Sequence, residues 1–352
     1  MDDISFADAR DNGAITNHND IRFVIETPTQ RYILSGTNFT YTLTSPHHYE
    51  VTGGTVTGMR VDSLNGDGTS TMEYSIGNFS VSVAQMKAFI AGNDVGGFES
   101  STLNGDDILF GSAGNDHLVG LSGNDEFNFT TGGSDIGEGG KGNDLFSLGA
   151  ALTAADRLDG GSGHDSLHLN GDYSAGLTLK ANTIHNIETI SFNEGFSYNL
   201  KSDDGNVAAG KVLALNAHSL HTAEHFYFDG SAETDGSFNI TGGNGQDHLF
   251  GGQLADKIFA GPQNDFVVGN GGDDYLFGGI GDDTIIGGDG ADQLLGNVGD
   301  DTLTGGAGAD FIDVGTDNNV VVYGPASDST GNAFDTVSRL HFERDHIDVV
   351  NA

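Results

Sequence analysis

From Gly242 the sequence breaks into nonapeptides without a slip: GGNGQDHLF, GGQLADKIF, AGPQNDFVV, GNGGDDYLF, GGIGDDTII, GGDGADQLL, GNVGDDTLT and GGAGADFID. A short fixed period restricts a chain to stacked, repeating units before any other property is considered. The sixth position is acidic in every unit: Asp247, Asp256, Asp265, Asp274, Asp283, Asp292, Asp301 and Asp310. The eighth is apolar in every unit: Leu249, Ile258, Val267, Leu276, Ile285, Leu294, Leu303 and Ile312.

An earlier block follows the same rule less regularly. Asp107, Asp116 and Asp125 are nine apart, and each is followed two residues later by Leu109, Leu118 or Phe127. After a one-residue slip come Asp135 and Asp144, and after another slip Asp156 and Asp165. The slips predict loops or bulges.

The pattern GGxGxDxUx, with U a large apolar residue, has a direct physical reading. Six residues rich in Gly, Asp and Asn make a tight turn, because glycine accepts positive φ at little cost. The remaining x-U-x makes a minimal strand with U pointing inward. Two units then complete a coil of 18 residues, and stacked coils lie about 4.8 Å apart. One apolar residue per unit is too little core to offset about 1–2 kcal/mol of backbone entropy per residue.

Metal supplies the missing free energy in this reading. Turns on one edge recur every 18 residues, so sixth-position carboxylates of adjacent coils can face one ion. The implied pairs are Asp247 with Asp265, Asp256 with Asp274, Asp265 with Asp283, Asp274 with Asp292, Asp283 with Asp301, and Asp292 with Asp310. Asp283 lies mid-block and serves two pairs, whereas Asp310 ends the block and serves one. Fifth-position Asn264, Asp273, Asp282 and Asp300 can add oxygens, as can Asn115, Asn124 and Asn143 in the first block. Carboxylates with turn carbonyls form an all-oxygen set that suits Ca²⁺; Mg²⁺ demands a stricter octahedron, and soft metals want Cys or His. A disordered acidic tail is the competing reading, and the strict register with its apolar eighth position argues against it.

Composition agrees with a cation-binding chain. Fifty-one acidic residues against 13 basic ones give a net charge of −38, and there is no cysteine. Such a chain repels nucleic acid and anionic membranes. No apolar run is long enough for a transmembrane segment. The N-terminus MDDISFADARDNGA lacks the basic and apolar regions of a Sec-type signal.

The rest of the chain reads as β. Residues 1–100 carry RFVIET, RYILSG, FTYTLT, YEVTGGTVTGMRV, TMEYSI and FSVSV, with one short helix expected at VAQMKAFIAG. This region is expected to be a cap or an interaction domain. Residues 101–165 form the first calcium block, 166–241 irregular solenoid coils, 242–315 the second block, and 316–352 a C-terminal cap with strands at NVVVYG and HIDVV. The expected fold is all-β: a parallel β-roll, a calcium-stabilised β-solenoid, with a β-rich N-terminal region and a small β cap.

Motifs for other chemistries are missing. There is no HExxH, no GxSxG and no GxxxxGK[ST]. His218, His221 and His225 would share a face only on a helix, and their flanks KVLALNA and FYFDG are strand-like. Glu188 and Glu194 could form a glycosidase pair in principle, but chance carboxylate pairs abound in so acidic a chain. No catalytic residue is expected.

The nonapeptides at 103–165 and 242–315 resemble the RTX (repeats-in-toxin) hemolysin-type family of calcium-binding proteins from Gram-negative bacteria. The tail DTVSRLHFERDHIDV resembles the segment after the repeats in serralysin-type proteins, with Leu340 where that pattern has Phe. The resemblance implies type I secretion and folding outside the cell, where calcium is plentiful. Secretion signals of the family occupy a further C-terminal stretch, whereas three residues follow Val349. With no catalytic motif present, the leading expectation is a secreted, non-enzymatic extracellular or cell-surface protein: an adhesin, a matrix component, or an S-layer-like unit engaged in self-assembly or with a surface partner. The alternatives are a calcium and secretion module of an RTX hydrolase or epimerase, and a host-directed effector fragment.

Overall fold

The computed structural model describes residues 104–324 and 334–350, and the backbone of five strands nearer the N-terminus. All regular structure among them is strand. The helix expected at VAQMKAFIAG lies outside the described residues. Contacts divide the chain into two compact units: Met1–Ser147 with Asp159–Asp165, and Leu148–Leu158 with Ser166–Ala352.

The first unit begins with an antiparallel meander of the strands Ile21–Glu26, Gln30–Ser45, His48–Leu64 and Ser70–Ser82. Its last strand pairs antiparallel with Ile108–Gly111, Tyr74 opposite Gly111. From that strand onward the pairing is parallel. Ile108–Gly111 pairs with Glu126–Asn128, and that strand with residues 145–147. On the other side of the coil His117–Val119 pairs with Ile136–Lys141. Alternation of sides along the chain is what a solenoid requires.

In the second unit the alternation runs without a break. One parallel ladder passes through Thr189–Phe192, Val212–Asn216, Ser237–Thr241, Lys257–Pro262, Tyr275–Ile280, Gln293–Val298, Phe311–Asp313 and Thr336–Ser338. The facing ladder passes through Tyr198–Lys201, Phe226–Asp229, His248–Phe250, Phe266–Gly271, Thr284–Asp289, Thr302–Ala307, Val320–Tyr323 and His346–Val349. Both tail strands expected from the sequence are present, and Thr336–Ser338 is a third. The chain is a parallel β-solenoid.

In the repeats the register is 18 residues, as in Ile258 opposite Leu276 and Ile285 opposite Leu303. In the middle coils it widens, with Ile190 opposite Leu215 and Leu200 opposite Phe228. Repeat strands are longer than x-U-x. Thr284–Asp289 spans six residues, because Gly288 and Asp289 of the next unit stay paired with Gly306 and Ala307. Identical coils keep bonding through the start of each turn, which an isolated unit could not do.

All eight eighth-position residues are 0% exposed. They form a thin apolar line between the two ladders, and each turn at its ends presents backbone and carboxylates.

Candidate metal centre

Each turn in the second block is stitched to the next by its sixth-position aspartate. The N–H of Asp247 donates to Oδ1 of Asp265 at 2.8 Å, and the same bond joins Asp256 to Asp274, Asp265 to Asp283, Asp274 to Asp292, Asp283 to Asp301 and Asp292 to Asp310. These are the six pairs that the 18-residue spacing predicts. The first block does the same over uneven coils: Asp107 to Asp125 across 18 residues, Asp116 to Asp135 and Asp125 to Asp144 across 19, and Asp144 to Asp165 across 21. The slips are taken up in the turns, and the carboxylates stay aligned.

Fifth-position residues form a second ladder of opposite polarity, in which the later coil donates. The N–H of Ser134 reaches Asn115, that of Asn143 reaches Asn124 and that of His164 reaches Asn143. In the second block Asp282 donates to Asn264, Ala291 to Asp273, Asp300 to Asp282 and Asn318 to Asp300. Each acceptor atom is Oδ1, so that oxygen already works between coils.

Oδ2 of the sixth-position aspartates separates two kinds of turn. For Asp107, Asp125, Asp144, Asp265, Asp274, Asp283, Asp292 and Asp301 this oxygen is buried and meets no hydrogen-bond donor. For Asp116, Asp247 and Asp256 it accepts the N–H four residues earlier, from Ser112, Gly243 and Gly252, and for Asp156 it accepts that of Thr153.

Backbone conformation follows the same division. In most turns where Oδ2 meets no donor the second and fourth residues are left-handed, as in Leu121 and Gly123, Gly279 and Gly281, or Asn297 and Gly299, whereas Gly105, ahead of Asp107, is not. Gly261 with Gln263, Asn270 with Gly272, Gly288 with Gly290, and Gly140 with Gly142 behave likewise. Ser112 and Gly114, Leu152 and Ala154, Gly243 and Gly245, and Gly252 and Leu254 are not left-handed. We call the two forms open and closed. A closed turn swings an N–H onto its own carboxylate, whereas an open turn points it away.

A small oxygen-lined cradle lies beside the first glycine of open and closed turns alike, at Gly251 over Asp256 as at Gly287 over Asp292, and the open turn differs in leaving its Oδ2 without a donor. A Cβ on Gly287, the first residue of its turn, would lie 2.3 Å from Oδ2 of Asp292 and 2.4 Å from the carbonyl oxygen of Gly305 on the next coil. Gly269 stands in the same relation to Asp274 and Gly287. The first-position glycine therefore keeps open the space where a carboxylate oxygen and a neighbouring carbonyl converge.

Leaving such an oxygen without a donor is costly, and the carboxyl groups register it. Asp265 and Asp274 are pushed up to about 8, by burial first and then by the charges of neighbouring aspartates. Asp283, Asp292 and Asp301 are pushed to about 7 for the same reasons, as are Asp107 and Asp125. In the closed turns of Asp247 and Asp256 the rise stops at about 6, although these groups are also buried, because N–H bonds favour the charged form. A divalent cation answers the open-turn deficit directly. Hard oxygen donors without sulfur or imidazole fit Ca²⁺. Among the described residues no three His, Cys, Asp or Glu side chains converge on one point, so such an ion would take its remaining ligands from backbone carbonyls.

The ladders extend beyond the repeats. Asp301 donates to Oδ1 of Asn319, and Asn319 to Asp345 across 26 residues; Asp310 donates to Asp335 across 25. The expectation that Asp310 ends its ladder is therefore corrected. Asp335 and Asp345 were missed because the tail abandons the nonapeptide spacing, although both lie in the tail motif. The histidines do not gather: His218 bonds Asn216, His221 pairs with Glu194 and Glu224, and His225 meets the carbonyl of Gln246.

A family model for the RTX calcium-binding nonapeptide repeat matches residues 101–132, 129–167, 151–172, 239–258, 250–285 and 286–321. A comparison with curated proteins gives no match. The matched segments, 101–172 and 239–321, hold the repeat aspartates of both blocks and every open turn described above, so the chain carries RTX calcium-binding nonapeptide repeats.

Proposed function

We propose that the protein is secreted and non-enzymatic, that its repeats fold on meeting extracellular calcium, and that it then acts as a structural, adhesive or surface-assembling element. The observation that carries this reading is the set of buried Oδ2 atoms in open turns. They make the ion-free roll expensive, so the coil balance tips only when a cation arrives. Calcium modules outside cells bind at about 10⁻⁴ to 10⁻³ M, so a chain with such sites stays unfolded in the cytosol and folds after export. Ions are expected at the sixth-position aspartates of open turns, with fifth-position oxygens in support. Stacked coils whose final strand, His346–Val349, is exposed suit a role in contact and assembly.

Circular dichroism tests the first half. In EDTA the β signal should fall sharply, and millimolar calcium should restore it while equal magnesium does much less; a full β signal in EDTA would refute calcium-driven folding. Electron microscopy with and without calcium tests the second half: sheets, filaments or surface-bound particles are expected with calcium, and monodisperse single particles under all conditions would count against assembly.

A further inference from the structure

Among the described residues, Glu233 is the one buried carboxylate outside the aspartate ladders that keeps an oxygen without a donor. It lies in the turn GSAETDG, residues 230–236, just ahead of the strand that leads into the first nonapeptide of the second block. Its side chain is 0% exposed. Oε1 accepts the N–H groups of Gly236 at 2.8 Å and Asp235 at 3.1 Å, and Oε2 accepts none.

The turn is held on both sides. Thr234 donates its N–H and its hydroxyl to Oδ1 of Asp204 on the preceding coil, at 2.9 and 2.6 Å. The carbonyl of Glu233 accepts the N–H of Gln253, in the closed turn of Asp256. A Cβ on Gly252 would sit 3.1 Å from that carbonyl oxygen and 3.3 Å from Cβ of Glu233, so glycine lets the two turns close up. A Cβ on Gly236 would strike Val207 at 2.5 Å. Glu233 thus cannot swing its carboxylate into water without undoing two turns. The carboxylate of Asp256 is near enough that Glu233 adds to its upward shift, after burial.

A buried carboxylate with a bare oxygen is strongly unfavourable unless something positive or protic meets it. The same atomic signature marks Asp265, Asp274, Asp283, Asp292 and Asp301, where the turns form oxygen-lined cradles. Asp256 next door is closed, with both oxygens bonded to N–H groups, so it needs no ion of its own. We propose that Glu233 anchors a separate calcium-class cation site, completed by backbone carbonyls of the turns at 230–236 and 251–256, at the seam where the middle coils meet the repeats. No nonapeptide supplies this ligand. It would tie the first closed turns of the roll to the coils beneath them.

The test is crystallographic and uses the full chain. Crystals grown in calcium and exchanged into Tb³⁺ should show an anomalous peak about 2.3–2.6 Å from Oε2 of Glu233. Glu233→Gln should lose that peak and keep the peaks at Asp274 and Asp292. A water, a protonated carboxyl or no density at Glu233, with peaks present at Asp274, overturns this proposal and spares the reading of the repeats. Absence of peaks at both places overturns both. If Glu233→Gln does not fold, the wild-type map decides alone.

Discussion

Within the second unit, the coils of residues 166–241 and those of 242–315 share one topology and solve its ends differently. The middle coils fill their interior with rings. Phe192 packs on Phe226 and Tyr198 with centroids 4.7 and 4.8 Å away, and Phe228 meets Phe238 edge-on at 5.1 Å. Several of their turns are satisfied by neutral groups, although Glu224 accepts the N–H groups of Gly195 and His221 and Glu233 keeps a bare oxygen. The hydroxyl of Tyr198 lies 3.0 Å from the carbonyls of Leu169 and Asn193, and Asn206 donates to the carbonyl of Lys180 at 2.7 Å while accepting the N–H of Asp203. The repeat coils have one aliphatic side chain per unit and leave carboxylate oxygens bare. Coil length follows: bulky rings and side-chain caps need 25 or 28 residues per coil, as at Ile190–Leu215 and Leu200–Phe228, and glycine turns need 18. A solenoid can therefore be stabilised from within by packing or from its edges by ions, and this chain joins both kinds along the same two ladders.

The largest expected effect is a separation of the two regions by chelation. Hydrogen exchange read by mass spectrometry on the intact chain should show residues 260–313 exchanging faster in EDTA by roughly a hundredfold or more, while 189–229 change little. Equal loss of protection in both would mean that the middle coils lean on the roll and that the contrast drawn here is false.

Next comes the carboxylate series, which sharpens the contrast within the repeats. Asp283→Ala removes a bare Oδ2, an acceptor for the N–H of Asp265 and a link in the ladder. Its calcium midpoint for folding should rise about tenfold, equivalent to about 1.4 kcal/mol. Asp310→Ala should follow closely, since its N–H is bonded to Asp335 and it is not a terminus. Asp289→Ala should titrate like the wild type, because that side chain is exposed at a third position. Identical midpoints for all three variants would defeat the 18-residue pairing.

The smallest effect concerns pH. Carboxyls lifted to about 7 or 8 in the ion-free fold favour that fold in acid; the contribution is complete below the ordinary carboxylate range and is lost as pH rises through 7 to 8. Calcium needs these groups ionised, so protons compete with it. The calcium midpoint should climb as pH falls from 8.5 to 6, and a flat profile would show that these carboxylates do not face the ion.

Register, inward residues and aspartate ladder were legible in the sequence because each obeys one period. Whether a turn is open or closed was not legible: Leu254 lies in a closed turn, yet Leu121 is left-handed in an open one. GGNGQD carries no mark either. Its glycines permit either form, and the turn closes because Asn244 bonds the carbonyl of Leu220 on a coil that is not a repeat. Glu233 was equally hidden, because its meaning depends on a neighbour 23 residues later. In the tail, Asp335 and Asp345 keep the ladder while the spacing jumps to 25 and 26 residues, and periodicity is blind to that. What a sequence period cannot carry is the identity of the turn lying underneath.

The two-units-per-coil register also governs how such a chain can change length. Removing one nonapeptide from the second block would leave every remaining unit a valid neighbour, yet everything after the cut would turn by half a revolution about the solenoid axis. Val320–Tyr323 and Thr336–Ser338 would exchange sides relative to the middle coils. Removing two adjacent nonapeptides would shorten the stack by about 4.8 Å and turn nothing. Odd and even edits are thus unlike events: one re-aims the far end of the molecule, and the other only brings it closer.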